Sequence, residues 1–388
     1  MSKEYEVVIG LEVHVQLATE SKLFCSCSTE FGAEPNSHVC PVCMGLPGAI
    51  GVLNKRVLKY AMMAGLAVNC KINTYNKFDR KNYFYPDMPK AYQISQFDLP
   101  ICKNGYIEID KENGSKKIGI ARIHMEEDAG KLVHEGSIDS STGSLADYNR
   151  SGVPLIEIVT EPDLRSSDEA IKFLNSLKQT LQYLGISDCN MEEGSLRCDA
   201  NISIRPVGQK EFGTKTELKN MNSFKTVEKS LEYEIERQIE VLRGGREVIL
   251  ETRTWDEDLN KTISMRGKKE STDYRCFPEP DIAPLQITEK WIDQLQEEIP
   301  ELPGERKKRF IEEYGLPEYD AGIITADRDL ADFFEEGAEY FDDPKTVSNW
   351  VMGEFLRLLK EEEQEVKELN FNGTHLGEIG RASCRERV

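Results

Sequence analysis

"GLEVHVQL", residues Gly10–Leu17, is the heart of an alternating run that begins at Tyr5. Leu11, Val13, Val15 and Leu17 fall on one side, and Glu12, His14 and Gln16 on the other. A period of two is the signature of a half-buried β-strand. Two residues of strand rise put the Glu12 and His14 side chains roughly 6.5 Å apart on one face. Taken alone, that face reads as the wet side of an amphipathic strand. It can also present a carboxylate and an imidazole to a common ion or phosphate.

Further strands are expected at 105–110, 118–126, 153–159, 196–205 and 214–219. In "LRCDANISIR", Leu196, Cys198, Ala200, Ile202 and Ile204 face one way, and Arg197, Asp199, Asn201, Ser203 and Arg205 the other. In "TKTELKN", Lys215, Glu217 and Lys219 share a face. In "ARIHMEEDAGK", Arg122, His124 and Glu126 alternate, and Glu127 and Asp128 follow. "VPLIEIVTEPD" sets Glu157 among Leu155, Ile156, Ile158 and Val159, where an unpaired carboxylate would be costly.

Residues 52–66 read as a helix, and two longer helices break up the later strands. One follows Ser166, with Glu169 completing a capping box, and carries Phe173, Leu174, Leu177, Leu181 and Leu184 before Gly185. The other carries Phe224, Val227, Leu231, Ile235, Ile239 and Leu242 and stops at Gly244-Gly245. Strands and helices in mixed order, with few βαβ units, predict an α+β domain with a mostly antiparallel sheet. From about residue 288 the chain turns charged, helical and poor in strands, with prolines at 303, 317 and 344. The expected organisation is therefore a domain over 1–288 and an all-helical domain over 289–379. The closing "GRASCRERV" fits neither pattern, and 380–388 is expected to be foreign sequence.

The 388 residues are 39% hydrophobic, enough for sizeable cores, and carry a net charge of −20. That charge argues against a protein that coats nucleic acid, though not against a local basic track. No stretch reaches the roughly 18 apolar residues a membrane span needs. "MSKEYEVV" lacks a signal-peptide pattern, so a cytoplasmic protein without membrane association is expected.

Cys25-x-Cys27 and Cys40-x-x-Cys43 form two close pairs. Four thiolates on a loop that can fold back suit a closed, structural zinc site. His38 is a spare ligand, and a redox pair at Cys40 and Cys43 is the alternative. The other cysteines read as small buried hydrophobes. A sheet with one apolar face and one face of carboxylates, basic groups and histidines suits magnesium, and magnesium beside Lys and Arg suits ATP and phosphoryl transfer. No G-x-x-x-x-G-K-[ST] or kinase signature is present. A metal-dependent phosphoesterase or nuclease, and a non-catalytic zinc-stapled binding scaffold, are the rival readings.

"LADYNRSGVPLIEIVTEPD" (Leu145–Asp163), with "YEVVIGLEVHVQL", "KNYFYPDMPKAYQISQ", "RIHMEEDAGKL" and "TKTELKNMNSF", resembles the B subunits of the aspartyl/glutamyl-tRNA amidotransferases. The motifs run in that family's order from about residue 5 to 285, and the helical region to about 379 is similar too. The absence of a large insertion between Pro284 and Trp291 separates it from the archaeal E subunit.

The resemblance implies a glutamine-synthetase-like catalytic domain within a heterotrimeric ligase. ATP and Mg²⁺ would phosphorylate the side-chain carboxylate of Glu-tRNA(Gln) or Asp-tRNA(Asn). Ammonia, delivered through a tunnel from an amidase A subunit, would then give Gln-tRNA or Asn-tRNA, with a small C subunit holding the pair together. Carried onto this sequence, catalytic and Mg²⁺ positions fall at Glu12, His14, Glu126, Glu127 and Glu157. Arg150 is an expected anion contact. Strand-face geometry adds Asp199, Lys215 and Glu217 as ATP, phosphate or substrate contacts.

The aromatic loop "YFYPDMPKAYQ", flanked by Lys81 and holding Lys90, either stacks on a tRNA 3′ end or packs in the core or a subunit interface. Lys268, Lys269, Arg306, Lys307, Lys308 and Arg309 are candidate backbone contacts, or simply a solvated face. Family members continue into a tail domain that grips tRNA, so a chain ending at Val388 is expected to be a truncated subunit.

Overall fold

A computed structural model describes residues 4–111, 114–134, 143–265 and 274–385. Nine strands make the main sheet: β1 (Tyr5–Gln16), β2 (Lys71–Ile72), β3 (Cys102–Lys111), β4 (Gly114–Glu127), β5 (Pro154–Thr160), β6 (Leu196–Pro206), β7 (Thr216–Met221), β8 (Glu251–Asp256) and β9 (Lys261–Ser264). Their order across the sheet is β9-β8-β7-β6-β1-β5-β4-β3-β2. The alternating run that starts at Tyr5 is thus an interior strand, antiparallel to β5 on one side and β6 on the other.

The sequence had not signalled β2, β8 or β9. β8 (ETRTWD) is partly buried along its whole length, so it lacks the apolar-polar contrast that marks a two-faced strand. It pairs parallel with β7, and helix α3 (Phe224–Arg243) makes the crossover between them.

One sheet face is apolar. Val13, Ile123, Ile156, Cys198, Ala200 and Leu218 are all buried. Helix α1 (Lys55–Ala67) packs on this face so closely that a side chain at Gly65 would strike the Cys102 sulfur. The Asn54 side chain accepts from the Arg56 amide and starts α1 there rather than at residue 52. α3 starts on a Ser223 cap and ties itself to the sheet where Gln238 Nε2 donates to Thr216 Oγ1, 3.1 Å away. At α2 (Ser167–Tyr183) the expected capping box is half made. Ser166 Oγ accepts from the Glu169 amide, but the Glu169 carboxylate reaches the Arg165 amide and the ammoniums of Lys111 and Lys116 instead.

The chain divides into a unit of Met1–Leu177 with Gly185–Glu298 and a second of Lys178–Leu184 with Ile299–Val388. Helix α4 (Glu289–Glu298) belongs to the first, held on α1 by Lys59–Glu298 (2.5 Å) and by Lys55 over Trp291. The second unit is helical: α5 (Pro303–Glu312), α6 (Glu318–Ile324), α7 (Arg328–Tyr340), α8 (Pro344–Trp350), α9 (Leu356–Glu361) and α10 (Gly373–Arg385). Its core holds Phe310, Ile324, Phe333, Phe334, Val347 and Val351. α10 runs on through Arg385, into the stretch expected to be foreign. Among the described residues no helix is long and apolar enough to cross a membrane.

Candidate active site

Strand register assembles the polar face. His14 stands opposite Glu157 on β5 and Arg197 on β6, and Glu157 stands opposite His124 on β4. One transverse row therefore reads His124, Glu157, His14, Arg197. The next reads Arg122, Val159, Glu12, Asp199.

Glu126, two residues beyond His124, closes a compact group with the first row. His14 Nε2 lies 3.3 Å from Glu157 Oε2 and 3.5 Å from Glu126 Oε1. His124 Nε2 lies 3.4 Å from the same Glu157 oxygen and 3.8 Å from Glu126 Oε2. Ligand atoms of His14, Glu126 and Glu157 all fall within 4.8 Å of one another, a set that can hold one divalent ion. Burial works against charge on both imidazoles, but the two carboxylates outweigh it. The His14 pKa stays above its ordinary value, and that of His124 is pushed up to about 9. Burial would raise the Glu157 pKa, yet His124 and His14 hold it well below the carboxylate range.

Glu12 lies outside this trio. Its Oε1 accepts from Asn201 Nδ2 at 2.9 Å. The Lys219 ammonium bridges Asp199 (2.9 Å) and Glu217 (3.1 Å), and Glu217 also accepts from Thr252 Oγ1. A cavity of about 290 Å³ adjoins Glu12, lined by Gly10, Asn201, Phe212 and Lys215 among others. Phe212 is 59% exposed there, with the Arg205 guanidinium over its ring.

The consecutive acids of β4 part company. Glu126 faces His14, but Glu127 points through the other side of the strand. It forms a buried ion pair with Lys90 and accepts from the Ile94 amide at 2.9 Å. Glu127, which the resemblance names among the Mg²⁺ positions, stands apart from His14 and Glu126 because neighbours on a strand point opposite ways. Lys90 is withdrawn into the same pair. Asp128, 2% exposed, gathers Gln16 (3.0 Å), Arg197 (3.0 Å) and Arg150 (3.4 Å). Burial would raise its pKa, but the two guanidiniums lower it overall. Arg150 also donates to the carbonyls of Ala129 and Gly130, so it braces a loop as well as facing an acid.

Cys25, Cys27, Cys40 and Cys43 meet as a group whose sulfurs lie within 4.8 Å of one another. This fits one tetrahedral thiophilic ion. His38 serves through its backbone: its amide donates to Asn149 and its carbonyl accepts from Lys22. Lys22 is wholly buried, its Nζ at 2.7 Å from the His38 carbonyl, 3.3 Å from that of Tyr148 and 3.8 Å from Cys43 Sγ. Hydrogen bonding from Cys25, against the cost of burial, together with Lys22 brings the Cys43 pKa down to about 4. Sequence reasoning passed over Lys22, for which the only sign was a lysine three residues before the first cysteine.

In the aromatic loop, Tyr83 stacks on Tyr85 at 6.0 Å, Lys81 sits 4.7 Å over the Tyr274 ring, and Phe84 is 80% exposed. Two candidate backbone contacts in the helical unit are already engaged. Arg306 is 6% exposed and pairs with Asp332 and Glu335, and Arg309 pairs with Glu301 and Glu335. Lys268 and Lys269 lie outside the described residues.

Residues 7–293 match the family model of the GatB/GatE catalytic domain, and 332–382 match that of the GatB domain. Proteins named as the B subunit of aspartyl/glutamyl-tRNA(Asn/Gln) amidotransferase are similar over most of this chain. The one from Carboxydothermus hydrogenoformans is 62% identical over 366 residues, 94% of this chain and 76% of that protein. The one from Caldicellulosiruptor saccharolyticus is 60% identical with the same coverage. The one from Clostridium novyi is 56% identical over 97% of this chain and 78% of its own length. By the family model and by these relatives, the chain belongs to the GatB/GatE family.

Proposed function

We propose that this chain is the B subunit of a glutamine-dependent tRNA amidotransferase, and that its polar sheet face activates the side-chain carboxylate of Glu-tRNA(Gln) or Asp-tRNA(Asn) with ATP. The observation that carries this reading is the transverse row of His124, Glu157 and His14, closed by Glu126, beside a cavity edged by Glu12 and Lys215. In the reading, His14, Glu126 and Glu157 hold a Mg²⁺ ion, and Glu12, with Asp199 and Glu217 behind it, faces the ion that accompanies the nucleotide. A bound Mg²⁺ supplies neutralisation of phosphate and carboxylate charge.

The chain's own groups do the rest. Lys215 meets phosphate charge at the cavity. Phe212 offers a ring on which a nucleobase can stack. Asp128 fixes Arg197 and Arg150 along the border of the row. Glu127 is assigned no ion. The four cysteines hold a structural zinc that pins their loop. We assign the sheet-bearing unit, with α4 through Glu298, to a glutamine-synthetase-like catalytic domain and the unit from Ile299 onward to a helical domain. The partners are an amidase A subunit, a small C subunit and tRNA, in the cytoplasm. An acyl phosphate hydrolyses in water, so ammonia from the amidase has to arrive by an enclosed route.

The test is reconstitution with A and C subunits. ATP- and glutamine-dependent conversion of misacylated Glu-tRNA(Gln) or Asp-tRNA(Asn) is the expected result. Metal-driven phosphoester hydrolysis by the lone chain, with no conversion in the presence of partners, would overturn the reading.

A further inference from the structure

His124 is not among the proposed ion ligands, yet its Nε2 reaches both carboxylates that would hold the ion. It stands 3.4 Å from Glu157 Oε2 and 3.8 Å from Glu126 Oε2. The ring is only 4% exposed, and its Nδ1 is buried without a hydrogen-bond partner. Ion binding at the carboxylates releases protons, and once the ring is neutral that orphan decides its tautomer. A proton on Nδ1 would be a buried donor with no acceptor, whereas a proton on Nε2 faces two carboxylate oxygens. A nitrogen that carries a proton cannot ligate a metal.

We propose that His124 is a positioning residue: its Nε2–H holds Glu157 Oε2 and Glu126 Oε2 so that these carboxylates and His14 present one divalent-ion site. Glu126 makes the division visible. Its Oε1 is the oxygen near His14, at 3.5 Å, and its Oε2 is the one near His124. One carboxylate thus turns one oxygen toward the ion's nitrogen ligand and the other toward its brace. The cross-strand pairing of Glu157 with both His124 and His14 fixes this at the level of register, because all three side chains rise from one row. Groups that orient metal ligands in this way commonly contribute 10–100-fold to affinity.

The inference rests on the metal reading of His14, Glu126 and Glu157, and one experiment separates the two. Mn²⁺ is titrated into the full chain and followed by electron paramagnetic resonance, with electron-spin-echo modulation to count bound imidazole nitrogens. Wild type is expected to show one nitrogen, lost in His14→Ala. His124→Ala is expected to bind Mn²⁺ about 10–100-fold more weakly with the single nitrogen retained. His124→Gln, whose amide can still donate, is expected to recover most of the affinity. Unchanged affinity in His124→Ala, or two nitrogens in wild type of which His124→Gln removes one, would overturn the positioning role and leave the metal site standing. Mn²⁺ binding in His14→Ala equal to wild type would overturn the metal reading and this inference with it.

Discussion

Replacing Lys22 by Met tests whether the cysteine cluster is a charged metal centre. The lysine is wholly buried, and its ammonium meets two carbonyl oxygens and one sulfur. Among the described residues no carboxylate pairs with it. A buried ammonium needs a counter-charge. Four thiolates around one Zn²⁺ carry two net negative charges, and Cys43 Sγ is 3.8 Å from Nζ. At an effective dielectric constant of about 20, a full charge at that distance is worth about 4 kcal/mol. Zinc draws off part of the thiolate charge, and allowing half leaves about 2 kcal/mol. Met matches the lysine stem out to Cε and removes the ammonium with its charge and hydrogen bonds. Zinc affinity should therefore fall about 30-fold, since 1.4 kcal/mol is a factor of ten. Competition against a chromophoric chelator at neutral pH measures it. The loss should persist at high salt, because a buried pair is poorly screened. A change below about threefold in a folded variant would refute the pairing of Lys22 with a metal–thiolate charge.

Other perturbations reach the remaining groups. Glu157→Gln and Glu126→Gln should each lower Mg²⁺-dependent ATP turnover at least about 100-fold with thermal unfolding little changed, and turnover within about threefold of wild type would remove the residue from the ion site. Asp128→Ala strands two guanidiniums; a buried pair broken this way costs about 3–5 kcal/mol, discounted to about 2–3 because both arginines are partly exposed, and urea unfolding reads it. The Asp128 pKa is depressed in the folded chain, so its contribution is full above the unfolded value near 4 and is lost as pH falls through the folded pKa. The wild type should thus lose stability more steeply than Asp128→Ala on acidification below about pH 4, and parallel curves would contradict the assignment. Glu335 accepts from Arg306, Arg309 and Tyr314, so Glu335→Ala should destabilise the helical unit by about 2–3 kcal/mol without altering ATP turnover by the rest of the chain.

What the sequence made legible follows the contrast between neighbouring residues. β1, β4 and β6 combine apolar and polar positions at a period of two, and the faces assigned to Glu12, His14, Arg197 and Asp199 hold in the sheet. Glu157 drew attention through its apolar flanks, and it sits between two imidazoles. β8 escaped because Glu, Thr and Arg residues on both faces leave no contrast to see. The division between Glu126 and Glu127 was in the alternation all along, since residues one apart on a strand cannot share a face. The opposite partner, Lys90, comes from a separate aromatic loop, and only the fold brings it there. Lys22, Asp128 and the basic residues of α5 share that limit. A lysine beside cysteines, or a run such as ERKKRF, carries no mark of whether its charges are solvated or spent on partners.

The place of β1 in the sheet also sets the order in which the molecule can be made. Tyr5 pairs with Pro206, and Glu12 with both Val159 and Asp199. At about 5–20 residues per second, a ribosome takes roughly 10–40 s after completing β1 to release the last of the strands that flank it. Until β5 is finished at Thr160, a segment containing Val7, Val8, Ile9, Leu11, Val13 and Val15 has two open edges, and until β6 is finished it still has one, a state prone to wrong pairing. His14, at the centre of the polar row, is thus made well before it is secured. Nascent chains that have not yet reached Pro206 are therefore the ones most exposed to misassembly.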